Sequence, residues 1–433
     1  MKRWLIILLL AGCSPVFAQE AMFRGNASHT GVYEGPGVAQ FTKIKWQFHT
    51  DGAVISSPVI SGGLLFVGSS DHFLYALDAG SGVFKWKFKA ESRITSSPAV
   101  SAGLVLFGSY DGNFYAVDAS TGKLKWRFQT EGERRFAGKH LHGSLPAAEL
   151  MPDPFDFYLS SPVISGGAVY FGSGDTNIYA LDLASGKLKW KFKTGDVVHA
   201  SPAIADGVLY VGSWDSYLYA LDAATGAEKW RFKTGEDHDI ANQQGIQASA
   251  AVMDGVVYFG CRDSNFYAVD AATGKQLWAF SNHGSWVIGS AAVRDGKVFF
   301  GTSDSGMFYE LDAKSGAKDF SLDFKHWPMF SSPALVGDFA FFGSNQGRLY
   351  AIDLKGQKIA WTFETDGAKK TGDMYTKGDG SPNYEAAFVD FFYDDMVSGV
   401  QKMMALGTVL SSPVVQGGVI YFGSADGNVY ALM

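Results

Sequence analysis

The chain has 433 residues, 47% of them hydrophobic and 15% aromatic, with 52 glycines and only 18% charged residues. That is ample apolar material for a continuous core, and the glycine content suits a turn-dense all-β protein. A net charge of −7 without a basic cluster excludes nucleic acid as an expected partner.

In chain order, residues 1–18 read as an export signal: Lys2-Arg3 form the charged start, and Trp4 to Ala11 are apolar but too short to span a bilayer. Two processing sites compete. Val16-Phe17-Ala18 suits ordinary cleavage, whereas Leu10-Ala11-Gly12-Cys13 fits a lipoprotein signal of residues 1–12 that leaves Cys13 lipidated. Either route exports the protein, with a bacterial periplasm as the expected compartment; membrane contact is expected only through a lipid on Cys13, if the lipoprotein site is the one used. Cys13 and Cys261 are the two cysteines, so no internal disulfide is expected. Cys261 reads either as a small buried residue or as a reactive or ligating thiol.

Residues 19–42 form a lead-in, and 43–433 read as one repeat array. Its markers are Tyr75, Tyr115, Tyr179, Tyr219, Tyr267, Tyr309, Tyr350 and Tyr430, most of them 40 to 42 residues from a neighbour. A period of roughly 40 residues built of short strands predicts an all-β, eight-bladed β-propeller with four antiparallel strands per blade. The second repeat shows the unit. Ser96-Ser97-Pro98-Ala99-Val100 opens the inner strand, Leu104 to Gly108 forms the second and Asn113 to Val117 the third. Lys125-Trp126-Arg127-Phe128 lies on the outer strand. Tryptophans recur in the outer strand at 46, 86, 126, 190, 230, 278 and 361, with Phe320 in the remaining slot, as blade-to-blade packing. Asp78, Asp118, Asp182, Asp222, Asp270, Asp312 and Asp353 precede tight turns, where they cap amides. The last repeat ends at Met433 without an outer strand, and Lys43 to Phe48 is an outer strand without a repeat. Joining the two closes the ring and removes both exposed edges.

The insertions 131–157, 235–245 and 364–407 all lie between blades and therefore on one rim. The histidines at 49, 72, 140, 142, 199, 238, 283 and 326 also map there, as do Trp214, Trp286 and Trp327. This pattern reads as a ligand or protein site, or else as polar residues excluded from the tight turns opposite. In the stretch 237–244, His238, Asp239, Asn242 and Gln243 offer groups for a hard or soft cation, or for a hydrogen-bonded loop. Arg93 and His199 could meet an anionic ligand in the funnel or pair with loop carboxylates. Helical spacing of apolar residues predicts one helix over 384–404, as a cover on the rim or an exposed docking surface.

The repeated phrase, for example Tyr219-Ala220-Leu221-Asp222-Ala223-Ala224-Thr225-Gly226 followed by Lys229-Trp230, resembles the pyrroloquinoline-quinone-type (PQQ-like) propeller repeat across residues 43–433 apart from the insertions. Met22-Phe23-Arg24-Gly25-Asn26 with Thr30-Gly31 resembles a common lead-in to such domains. The resemblance implies either of two classes. One comprises non-catalytic propellers that dock proteins, such as an outer-membrane assembly lipoprotein. The other comprises dehydrogenases that hold PQQ and Ca²⁺ in the funnel and oxidise alcohols or sugars. The chain lacks the adjacent cysteines of the alcohol-oxidising members and a haem-attachment Cys-x-x-Cys-His. The expectation is a scaffold without a cofactor, a monomer within a complex whose protein partners meet the insertion-bearing rim. A PQQ dehydrogenase and a ligand-sensing propeller are the alternatives, because fold does not choose between them.

Overall fold

A computed structural model describes residues 20–235 and 244–433. Its repeats fold as eight four-stranded antiparallel sheets. Seven blades are continuous in sequence, spanning 59–89, 99–129, 163–193, 203–233, 251–281, 292–323 and 334–364. The eighth is composite. Val414–Gln416, Val419–Gly423 and Asn428–Leu432 are completed by Ile44–His49 from the other end of the described chain, with Trp46 opposite Ala431 and Phe48 opposite Val429. The closure expected from the orphan strand is therefore observed.

Burial follows position in the blade. Second and third strands are buried on both faces between neighbouring sheets, whereas an outer strand such as Phe84–Lys89 alternates and turns Trp86 inward. Six of the seven docking indoles donate to a backbone carbonyl of the next blade, as Trp46 Nε1 does to Ala79 O at 3.0 Å, Trp86 to Ala119 O at 3.1 Å and Trp190 to Ala223 O at 3.0 Å, whereas Trp361 donates to Val38 O of the lead-in at 2.8 Å. The ring lies on the glycine of the facing turn. A Cβ at Gly82 would come within 2.7 Å of the Trp46 ring, and φ there is +73°, so both space and backbone require glycine. The turn acids cap as expected, Asp118 Oδ1 accepting from Ser120 N at 3.1 Å and Thr121 N at 3.0 Å.

The axis is closed in two layers. In the first, eight serines form a continuous ring in which each amide donates to the hydroxyl of the next blade. It runs from Ser57 through Ser97, Ser161, Ser201, Ser249, Ser290, Ser332 and Ser412 back to Ser57, at 2.8–3.1 Å. The second layer is the lead-in. Carbonyls of Ala21, Ala27, Ser28, Thr30 and Gly31 accept from inner-strand amides of five blades, and Arg24 donates to Ala291 O and Pro333 O at 2.9 and 2.6 Å. In these five blades the innermost edge, which would otherwise present a free amide, is thereby satisfied.

Candidate functional site

The rim is built from one variable slot of the repeat. After each second strand comes a Gly-Ser-x-Asp-like turn, and its third position carries Tyr110, Trp214, Arg262 and Asn345 in four of the blades. Tyr110, Trp214 and Arg262 meet the insertion 131–157. Arg262 is fully buried: its Nη1 donates to Asp153 Oδ2 at 2.6 Å, and its guanidinium lies 3.7 Å from the Trp286 ring centre and 4.6 Å from that of Trp214. A delocalised, weakly hydrated cation is the one that tolerates such a place. Burial raises the Asp153 carboxyl, but Arg262 and then His142, 3.2 Å away, outweigh it and hold the group well below the ordinary carboxylate range.

A second buried cluster stands beside the first. His199 Nδ1 is 2.8 Å from Asp156 Oδ1 and its Nε2 is 3.0 Å from Glu133 Oε1. Burial disfavours the imidazolium, yet Asp156 and Glu133 prevail and push His199 up to about 10. Burial raises Glu133 in turn. Protonation of one carboxylate would bring a buried group of two acids and one imidazolium to neutrality, which is the direction burial drives. Arg93 stacks on Tyr110, its guanidinium carbon 4.0 Å from the ring centre.

The same insertion covers the funnel. Tyr158 OH donates to Phe330 O at 3.2 Å and Leu410 O at 3.0 Å, and Phe157 packs with Ile55, Ile288 and Leu410. The space between this cover and Phe23 of the lead-in is about 30 Å³, lined by the serine ring.

Above the cover lies a cavity of about 790 Å³, walled on one side by His142, Phe155 and Trp286 and on the other by the third insertion. That insertion forms three helices, α1 (Asp366–Tyr375), α2 (Tyr384–Ala387) and α3 (Tyr393–Met404). The single helix expected over 384–404 is corrected to α2 and α3, with α1 unforeseen. The break falls at Phe388 to Phe392, a run of aromatic and β-branched residues with weak helix preference. Its backbone pairs with the first insertion instead: Leu145 N donates to Phe391 O at 2.8 Å and Tyr393 N to Leu145 O at 3.0 Å. Val389, Phe391 and Phe392 are left 75%, 68% and 52% exposed, beside Leu150 at 65%.

Of the residues expected at the site, Trp214 and Trp286 flank Arg262, and Trp286 also walls the cavity. Trp327 is buried and donates Nε1 to Gly380 O at 2.9 Å, fastening the third insertion to the ring. His326 is exposed, with Nδ1 3.0 Å from Asp304 O. His199 has both ring nitrogens on carboxylates, the loop-pairing alternative rather than an anion seat. Five rim histidines, at 72, 140, 142, 283 and 326, stand at positive φ, which ties them to turn geometry. His238, Asp239, Asn242, Gln243 and Cys13 lie outside the described residues. Cys261 is buried, and burial pushes its thiol well up, the bland reading of that residue. Sequence reasoning missed Arg262, Asp153, Asp156, Glu133 and Asp304. The departure of Arg262 from its repeat slot was a readable signal; the acids, inside an insertion without a repeat to compare, gave none.

No curated protein matches this chain. Among solved structures, BamB from Moraxella catarrhalis is 17% identical over 90% of this chain and 97% of its own, with a TM-score of 0.63. A europium-containing methanol dehydrogenase is 15% identical over 94% and 96%, with a TM-score of 0.67. A quinohemoprotein alcohol dehydrogenase from Comamonas testosteroni is 14% identical over 94% and 79%, with a TM-score of 0.66. At such identities the likeness is one of fold, and it includes proteins of both classes. A family model described as outer membrane protein assembly factor BamB matches residues 38–151 and 154–363, most of the ring, and the chain belongs to this PQQ-like propeller family.

Proposed function

We propose that this chain is a non-catalytic binding scaffold of the bacterial cell envelope, exported to the periplasm, whose insertion-bearing rim docks protein partners. The observation that carries the reading is the outward apolar surface of the two stitched insertions. Leu150, Val389, Phe391 and Phe392 are all more than half exposed on these two insertions, whereas the exposed apolar residues of the blades, such as Phe84, Leu124, Leu188 and Leu277, are spread one or two to a blade at the outer strands. The family description, an assembly factor of the outer membrane, supports the same reading.

PQQ with Ca²⁺, which the other class would require, does not fit the residues present. Tyr158 and Phe157 fill the funnel axis. The larger cavity is lined by the acids Asp304, Glu385 and Asp390, with His140 and His142 as its basic side chains, an adverse field for a quinone bearing several carboxylates. Among the described residues, no three His, Cys, Asp or Glu side chains come together as a metal site.

The test is site-specific photo-crosslinking in the exporting host. A photoreactive residue at Phe391 or Leu150 should give a discrete protein adduct, and one at Asp206 in a tight turn of the opposite face should give none. Equal labelling from both faces, or none from the rim, would refute the docking surface.

A further inference from the structure

The fourth position of the rim turn has a uniform task in seven blades. Asp71, Asp111, Asp175, Asp215, Asp263 and Asp426 accept from the hydroxyl of the tyrosine four residues on, at 2.5–2.8 Å, and Gln346 does so from Tyr350 at 3.0 Å. The sixth blade breaks the rule. One extra residue separates Asp304 from Tyr309, and Asp304 lines the 790 Å³ cavity instead. Its carboxylate is exposed to solvent at the cavity; the surrounding walls raise it, against its own backbone amide, the nearby His142 and the Ser303 hydroxyl. A carboxylate released from its structural partner at the wall of a mostly apolar cavity is free to pair with a cation that enters it.

The remaining lining specifies what would carry that charge. Phe155, Trp286 and Phe388 present aromatic surface, and Met396, Met403 and Met404 are flexible side chains that repack around differing shapes. Glu385 and Asp390 add negative charge at the wall. Of the two basic lining residues, His140 and His142, the second is already turned to Asp153, and Arg262 behind Trp286 is neutralised by the same acid. The volume lies within the roughly 300–1,000 Å³ of small-molecule sites.

We propose that this cavity is a binding site for an organic cation with an apolar body, an amine or quaternary ammonium compound, with Asp304 as its counter-ion and the aromatic wall around its charge. The cavity shares Val389 and Phe391 with the exposed patch that carries the docking reading, but the proposal rests on Asp304, which the docking reading does not use.

The experiment uses the full mature chain and three probes with one body and different heads: 4-phenylbutylammonium, 4-phenylbutanol and 4-phenylbutyrate, titrated by calorimetry. The ammonium compound should bind at least about tenfold more tightly than the alcohol, and the carboxylate more weakly than either. Asp304→Asn should bring the ammonium compound down to the level of the alcohol without altering the alcohol. Val400→Trp, which fills the cavity, should abolish binding of all three. Equal or tighter binding of the carboxylate, an ammonium preference that survives Asp304→Asn, or no binding by any probe at millimolar concentration would each overturn the proposal.

Discussion

Trp46 offers the sharpest test of how the ring is closed. It is 7% exposed, lies over Gly82 and donates to Ala79 O at 3.0 Å, and its strand is held to the last blade by ladder hydrogen bonds and side-chain packing, with no short covalent connection. Trp46→Ala removes a buried indole, a change that costs about 3–5 kcal/mol. With an unfolding entropy of about 2.1 cal/mol/K per residue, a ring of this size has about 0.9 kcal/mol/K, so Tm should fall by about 3–6 °C. Trp46→Phe keeps most of the apolar area but loses the indole donor, about 1 kcal/mol or about 1 °C. Trp190→Ala is the control, because Trp190 has the same environment, with its bond to Ala223 O at 3.0 Å, inside a blade continuous in sequence. The two alanine variants should melt alike by calorimetry. Hydrogen exchange should separate them: Trp46→Ala should speed exchange of the Asn428–Leu432 amides, whose partner strand can now peel away, and Trp190→Ala should not. Unchanged melting of Trp46→Ala, or equal acceleration at 428–432 in both variants, would refute the closure argument.

Other consequences follow from the rim. His199 has a folded pKa raised to about 10 from 6.5, so its stabilising contribution is complete below about pH 6.5 and lost as pH rises through 10. The stability difference between the protein and His199→Gln should therefore shrink across that window in chemical denaturation, and a difference that grows would reverse the assignment. Arg262→Met leaves Asp153 buried with only His142 beside it and should cost about 3–5 kcal/mol, while adding Asp153→Asn should recover part of the loss. The double variant Phe391→Asp, Phe392→Asp changes exposed side chains, so stability should stay within about 1 kcal/mol while crosslinking from Leu150 disappears.

The ring was legible because a propeller writes its rules many times. The spaced tyrosines, the docking tryptophans and the orphan strand at Lys43 to Phe48 each follow from a repeated packing problem, and all appear where expected. The serine ring was in view as the repeated Ser-Ser-Pro phrase, but its function as an axial belt depends on closure in space. The insertions were harder. Apolar spacing over 384–404 gave a helix, yet the pairing of Leu145 with Phe391 to Tyr393 breaks it, and such a contact between distant loops leaves no periodic trace. Counting rim histidines and tryptophans found Trp214 and Trp286 but not Arg262, the charge between them. Comparing slot with slot would have found it, as it would have found Asp304, displaced by one inserted residue.

Calorimetric titration of the purified protein with PQQ, with and without Ca²⁺, decides between the proposed scaffold and a quinoprotein. A scaffold whose funnel is filled by Phe157 and Tyr158 should give no saturable heat up to high micromolar cofactor. One-site, Ca²⁺-dependent binding would contradict it and make alcohol or sugar oxidation the reading to pursue.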